Sequence, residues 1–354
     1  MKRLVEIDAL RALGVLLVIA IHVFATHSML QDVSPLGIIL SFSQSFFYIA
    51  VPLFLFISGY ILTLKPNESP MCFYKKRLWH VLVPYTAVFL LYLLKKHKLD
   101  IIHLPPVEVF LEYILATSSE HLWFVPLIVQ LYLLYPLLLR LMRHRTAARR
   151  MLAVTFALNL AFWLVGWWPS FFPNGLFFFC LGLYFRLHSQ AMPRPSSRPL
   201  LLLTIILGSS AALFRVVTAI QFGELAETDA TILRTYHALN YLYASMAVVW
   251  LFNLTRSHAR TSRRKIPGLG QIAGCSYGMY LWHILFLSVF KNAYAYLQPQ
   301  YHADAIYYLA CFVFTALSSF AFVHTLSHIR CFHALVGFKS PRSVLPMRGT
   351  PLET

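Results

Sequence analysis

The feature that most constrains this chain is a succession of apolar runs, each long enough to cross a bilayer as a helix. A helix needs about 20 predominantly apolar residues to cross a hydrocarbon core of about 30 Å. Ten such runs can be marked, near residues 10–26, 36–64, 78–94, 121–142, 151–168, 171–187, 199–218, 232–254, 269–290 and 305–326. Apolar residues make up 58% of the chain and charged residues only 12%. We therefore expect an all-α polytopic membrane protein with about ten transmembrane helices.

Basic residues alternate along the chain between the two sides of this predicted bundle. With the N-terminus in the cytoplasm, 23 of the 30 Lys and Arg residues fall in inner segments and four in outer loops. Because basic residues favour the cytoplasmic side, both termini are predicted to be cytoplasmic. The exception is a cluster of Lys95, Lys96 and Lys98 at the start of the longest outer loop. This alternation argues against nucleic acid as the reason for the net charge of +17.

No segment is long enough for a separate soluble domain. We predict a membrane domain over residues 1–330 and a cytoplasmic tail over 331–354. The five cysteines form no CxxC motif, so neither a disulfide framework nor a zinc site is expected. His324 and His328 have helical i, i+4 spacing at a cytoplasmic helix end, which favours a solvated face over a metal site.

The first apolar run carries an arginine and a histidine, in the segment RALGVLLVIAIH. An offset of eleven residues comes within about 20° of three helical turns, so Arg11 and His22 share one helix face, about 16 Å apart. Asp8 flanks that face. Ionisable side chains in a membrane helix cost free energy and tend to face a bundle interior or a wet cavity. This face is the first candidate site.

Two motifs on the predicted inner side have both a structural and a functional interpretation. The run PLFLFISGY ends with Ser58 and Gly59, which suit either tight helix packing or close approach of a ligand. Arg77 follows two lysines at the cytoplasmic mouth of the third run. Such residues commonly contact lipid headgroups, and the alternative for Arg77 is a phosphate-binding role.

Two further motifs place polar and aromatic side chains toward the outer side. EHLWF opens the fourth run with Glu120, His121 and Trp123, which predicts a polar site at the outer mouth. The alternative for Trp123 is a structural role, as one of the aromatic residues that commonly lie at the membrane–water interface. SYGMYLWH places Tyr280 and His283 in the ninth run, at about the depth of the first-helix histidine. For His283 the alternative is an ordinary hydrogen bond between helices.

Together these motifs resemble the integral-membrane acyltransferase 3 family over essentially the whole chain. The resemblance rests on the Arg-x10-His pair of the first helix, the FISGY ending, the basic segment with Arg77, the HLWF motif and the SYGMYLWH motif. It implies transfer of an acyl group, with acetyl as the expected one, from cytoplasmic acyl-coenzyme A to a hydroxyl of a surface or lipid-linked glycan. It also implies a multi-pass protein of the bacterial cytoplasmic membrane, with acetyl-coenzyme A as a donor substrate and no bound cofactor.

The resemblance implies that His22 is catalytic and that Arg11 binds the donor or organises the site. The chemistry agrees, because a sugar hydroxyl needs a base to remove its proton, and a buried imidazole stays neutral and able to accept it. The remaining candidates are expected to bind substrate: Arg77, Ser58, Glu120, His121, Trp123, Tyr280 and His283. Two other classes stay open, namely an exporter or flippase of a glycan intermediate and a structural membrane subunit.

Overall fold

The computed structural model describes residues 4–25, 34–64, 69–165, 170–188, 197–223, 229–261, 266–297, 304–329 and 332–337. In these ranges the regular structure is helical and contains no strand, which confirms the all-α class. The helices are α1 (Val5–Phe24), α2 (Pro35–Phe47), α3 (Ala50–Leu62), α4 (Pro70–His97), α5 (Pro106–Leu115), α6 (Phe124–Leu141), α7 (Arg145–Val165), α8 (Pro173–Leu187), α9 (Ser197–Phe222), α10 (Ala230–Thr261), α11 (Leu269–Leu297) and α12 (Ala305–Leu326).

Nine segments of the described chain are long and apolar enough to cross a membrane, and α2 and α3 count together as one of them. The remaining predicted run, the sixth at residues 171–187, forms α8, which has 15 residues and rises about 22 Å. That is less than the roughly 30 Å of a hydrocarbon core. The protein is thus a multi-pass membrane protein, as its apolar runs predict.

The second predicted span is not one continuous helix. Tyr48 and Ile49 form a turn between α2 and α3, and Pro52 lies in the first turn of α3. Proline has no backbone N–H, so residue 52 cannot bond the carbonyl of Tyr48 as a continuous α-helix would require. Residues 36–64, predicted as a single run, do form one candidate span over Pro35–Leu62, but the turn divides this span into two helices.

Several helices begin where capping residues predict. Ser34 and Ser69 each precede a proline and accept a hydrogen bond from a backbone N–H three residues later. Asp304 accepts from the Tyr307 N–H at 2.8 Å at the start of α12. These side chains satisfy N–H groups that have no partner within the helix.

Helix α1 lies inside the bundle and contacts α2, α3, α10, α11 and α12. Helices α3 and α8 approach closely through Gly59 and Gly182, since a Cβ at either glycine would overlap a backbone carbonyl of the other helix. The close-packing interpretation of Gly59 is therefore confirmed. Because α1 is surrounded by helices, its ionisable side chains lie within the protein rather than toward lipid.

The long segment after α4, which is predicted to be outside, folds onto the ends of the neighbouring helices. Glu112 of α5 is buried and accepts hydrogen bonds from Lys96 Nζ at 2.7 Å and from His97 Nε2 at 2.9 Å. Burial alone raises the pKa of Glu112, but these two partners outweigh it, so the pKa lies below its ordinary value. Lys95 Nζ donates to Ser288 Oγ at 2.8 Å. Two of the three clustered lysines thus attach this segment to the bundle.

Part of the predicted tail packs against the bundle. Val336 is buried, and its carbonyl lies beside Gly278 of α11. Gly337 lies beside the ring of Tyr277. Residue 331 and residues 338–354 lie outside the described residues, so the predicted boundary at 330 stays a prediction.

Candidate active site

Three histidines from distant parts of the chain meet inside the bundle. His22 lies on α1, His121 lies just before α6, and His283 lies on α11. The ring centroid of His22 is 5.0 Å from that of His283 and 6.2 Å from that of His121, and the centroids of His121 and His283 are 5.1 Å apart. The sequence predicted each of these residues separately, and the fold brings them together.

Hydrogen bonds to backbone carbonyls fix two of these three rings. His283 Nδ1 lies 2.7 Å from the Tyr280 carbonyl, and His121 Nε2 lies 3.1 Å from the Leu281 carbonyl. Since a carbonyl can only accept, both nitrogens carry their protons. In the neutral tautomers, His121 Nδ1 accepts from Ser119 Oγ at 3.0 Å, and His283 Nε2 keeps a lone pair.

Two tyrosines complete this arrangement. The Tyr280 hydroxyl donates to the His121 carbonyl. The ring centroid of Tyr92 lies 5.2 Å from that of His121. His121 and His283 are both buried. The segment before α6 is therefore attached to α11 through backbone and side chain, which gives His121 and His283 defined orientations.

His22 differs from its two neighbours. It is only partly buried, and within the described residues no hydrogen bond holds its ring. The ring lines a cavity of about 240 Å³, which we call the outer cavity. Its nitrogens are thus the ones of this cluster most available to a substrate.

The outer cavity has a polar and aromatic lining. Trp123 contributes to it, as do His121 and Tyr280. The remaining polar or aromatic lining residues are Tyr48, Phe124, Trp163, Asn174, Phe178, His237, Asn240 and Tyr241. None of the described residues that line this cavity is Lys, Arg, Asp or Glu. Any ligand here therefore meets neutral polar groups and aromatic rings.

A larger cavity of about 580 Å³ lies toward the other end of α1, and we call it the inner cavity. Arg11 and Ser58 both line it. The charges of Arg77 and Asp8 lie close enough to Arg11 to interact with it. Arg77 Nε is buried and has no hydrogen-bond partner among the described residues. Two guanidinium groups thus lie at or near the inner cavity, where an anion would be stabilised.

The two cavities share part of their walls. Val18, Val51, Phe124 and Tyr280 line both. Arg11 and His22, about 16 Å apart by helix rise, lie on either side of this shared wall. A molecule bound at the arginine end therefore needs to pass only a few side chains to reach the histidine.

Two predicted features have different surroundings from those expected. Glu120 is exposed and lines neither cavity, so it is not part of the polar lining that the EHLWF motif predicted. His324 and His328 line the inner cavity, although the latter is exposed as expected of a solvated face. Among the described residues, no group of three or more His, Cys, Asp or Glu side chains is arranged so that it could hold a metal ion.

One wall of the outer cavity was not predicted from the sequence, and it is formed by Tyr48, Trp163, His237 and Asn240. One available signal was the polar pattern of residues 236, 237 and 240 within an apolar run. A second signal was Arg215, an arginine inside a predicted helix, which donates to the Tyr236 hydroxyl at 3.2 Å. Neither pattern shows which helix faces these side chains, and this explains the omission.

The fold and these two cavities define a multi-pass membrane protein with an internal histidine site between an arginine-lined and a neutral cavity. Residues 4–324 match the family model described as an acyltransferase domain, which is that of the acyltransferase 3 family. The chain belongs to this family and is a membrane acyltransferase, which confirms the resemblance. No significant match is found among curated proteins or among solved structures.

Proposed function

We propose that this acyltransferase moves an acyl group, acetyl in the simplest case, from cytoplasmic acyl-coenzyme A to a hydroxyl of a cell-surface or lipid-linked glycan. The observation that carries the proposal is the pair of adjoining cavities. Arg11 lines one of them, and the other is lined by His22, whose ring has no hydrogen bond within the described part of the chain. The membrane is then the bacterial cytoplasmic membrane, with the inner cavity toward the cytoplasm.

The inner cavity suits the donor. Coenzyme A carries several phosphate charges, and arginine binds phosphate through two parallel hydrogen bonds. Arg11 lines this cavity, and Arg77 lies close enough to interact with Arg11. Both arginines are therefore assigned to phosphate binding. The extended pantetheine arm then bridges the roughly 16 Å to His22. Ser58, which lines the same cavity, is assigned to donor binding.

His22 acts as the general base in this scheme. It takes the proton of the acceptor hydroxyl as that oxygen forms a bond to the thioester carbonyl carbon. The tetrahedral intermediate then collapses, the carbon–sulfur bond breaks, and the thiolate of coenzyme A leaves with the proton from His22. His121 and His283 contact the His22 ring and are assigned as positioning residues, because both are buried and backbone carbonyls hold their orientations. His283 lines neither cavity, and His121 Nδ1 is engaged by Ser119.

The test is transfer of label from acetyl-coenzyme A by the full chain in membranes. We expect radiolabelled acetyl to appear in the glycan or lipid-linked fraction, in proportion to the amount of inserted protein. Membranes without the chain are the control. Movement of a glycan intermediate across the membrane without any transfer of label would instead show an exporter and overturn the proposal.

A further inference from the structure

A second polar group of residues lies on the wall of the outer cavity, away from the histidine cluster. The Tyr48 hydroxyl lies 2.7 Å from His237 Nδ1. The His237 ring stacks on Trp163, with centroids 4.9 Å apart and an interplanar angle of 29°. Asn240 follows His237 by one helical turn on α10, and all four residues line the cavity. Contacts from three parts of the chain thus hold this wall in place.

Asn240 is the informative member of this group. Its side chain is fully buried, and its Nδ2 donates to the Tyr236 carbonyl at 2.9 Å. This bond fixes the orientation of the amide. Asn240 Oδ1 is buried and has no hydrogen-bond partner among the described residues. A buried acceptor that is left without a donor is unfavourable, so a hydroxyl donor placed in this cavity would be stabilised there.

The rest of the lining indicates which kind of hydroxyl compound fits. Trp123 and Trp163 provide aromatic surfaces against which the C–H face of a sugar ring packs. No described lining residue carries a formal charge apart from histidine. A carboxylate or sulfate placed here would lose its hydration without gaining a cation. The wall therefore favours a neutral, hydroxyl-bearing ring over an acidic sugar.

We propose that Trp163, His237 and Asn240 form the acceptor subsite, which binds a neutral pyranose next to His22. Asn240 Oδ1 accepts a hydrogen bond from one sugar hydroxyl, and a different hydroxyl faces the base. This inference rests on the proposed function, because it takes the acceptor to be a carbohydrate. It adds the residues that bind the acceptor and the charge of the sugar that they select.

The chain offers a matched control for Asn240. Asn159 on α7 is also fully buried, also donates through Nδ2 to a backbone carbonyl, and also has an Oδ1 without a partner among the described residues. It does not line the outer cavity. Asn240→Leu and Asn159→Leu therefore remove the same chemical group from similar surroundings, and only the first removes it from the proposed subsite.

The probes are methyl glucopyranoside, galactopyranoside and mannopyranoside, each paired with its uronate, with the purified full chain and labelled acetyl-coenzyme A. We expect at least one neutral pyranoside to accept label and to raise the melting temperature without donor. Its uronate should have a kcat/KM at least about tenfold lower. Asn240→Leu should raise the KM of that pyranoside about tenfold and leave the KM of acetyl-coenzyme A unchanged, whereas Asn159→Leu should change neither.

Transfer of label to membrane glycan, with no neutral pyranoside accepted or with the uronates preferred, would overturn the subsite while leaving the proposed function intact. Equal pyranoside KM values for Asn240→Leu and the wild type would also overturn the subsite and leave the proposed function intact. Absence of transfer to any fraction would instead count against the proposed function. If Asn240→Leu does not fold, Trp163→Leu at a partly exposed position takes its place, with the same expected rise in KM.

Discussion

The inner and outer cavities share four side chains of their walls but differ in size and in charge. The inner cavity measures about 580 Å³ and includes Arg11, whereas the outer cavity measures about 240 Å³ and has no Lys, Arg, Asp or Glu in its described lining. The difference indicates that one side of the site is suited to an anionic molecule and the other to a neutral one. His22 belongs to the neutral side.

The largest effect should come from changing the base itself. His22→Asn keeps a similar size and some hydrogen bonding but cannot accept a proton at neutral pH. We expect a loss of about a hundredfold to ten-thousandfold in kcat, with normal insertion and melting in detergent. The measurement is acetyl transfer per molecule of inserted protein.

His258→Asn, at an exposed position near the end of α10, is the control for this substitution and should be normal. A His22→Asn protein that is present at normal levels and turns over normally would remove His22 from catalysis. The base would then have to be His283 or His121.

A second effect, about tenfold to a hundredfold, should separate the cavities by substrate. Arg11→Gln or Arg77→Gln should raise the apparent KM for acetyl-coenzyme A and leave the acceptor KM unchanged, because both residues are assigned to phosphate. Arg140→Gln, at an exposed position near the end of α6, serves as the control. Loss of acceptor affinity with unchanged donor KM in either variant would contradict the assignment of the inner cavity to the donor.

Which cavity faces the cytoplasm can be measured by cysteine labelling in intact cells. The positive-inside pattern predicts that an impermeant thiol reagent labels Thr231→Cys severalfold faster than the native exposed Cys72 or Ile266→Cys. The loop at residues 219–231 has acidic residues and no Lys or Arg, so the same pattern predicts that it is outside. Its residues 224–228 lie outside the described residues, so Thr231 is the reporter. The opposite labelling pattern would place the arginine-lined cavity outside and exclude cytoplasmic coenzyme A as its ligand.

The smallest expected effect lies outside both cavities, at the attachment of α5. Glu112→Gln should lower the melting temperature by a few degrees at neutral pH, with acetyl transfer largely unchanged. Because the folded-state pKa of Glu112 is lowered, its contribution to stability is present above its ordinary pKa of 4.5 and is lost as pH falls through the folded value. Wild type and variant should therefore melt more alike in acid. Glu108→Gln, at an exposed position on the same helix, is the control. An equal melting difference at acidic and neutral pH would contradict this role.

The sequence predicted the spans well because an apolar run of sufficient length has few alternatives to a membrane helix. It did not predict the turn at Tyr48 and Ile49. The signal there is Pro52, yet Pro84 and Pro136 lie inside α4 and α6 without ending them. Whether a proline breaks a membrane helix depends on which neighbours satisfy the freed carbonyl, and a single sequence does not contain that information.

The site shows the same limit. Arg11 and His22 could be related to each other because both lie on one helix, whose geometry fixes their spacing. How these two residues lie relative to His121 and His283 depends on the packing of α1, α6 and α11. The neutral wall around Asn240 depends in addition on the packing of α7 and α10. His121 and His283 were each found separately, through the HLWF and SYGMYLWH motifs. Asn240 belongs to no such motif, so only the packed structure could place it in the same cavity as His22.

The short helix α8 bears on how the protein is assembled in the membrane. Thirteen of its 15 residues are buried, so it is surrounded by protein although it is too short to match the bilayer by itself. An isolated helix of this length would thin or distort the lipid around it. Its partner α3 is synthesised earlier, and the two glycines let their backbones touch. The contacts of α8 with α3, α6 and α7 therefore take the place of the lipid contacts that its length cannot satisfy across a full bilayer.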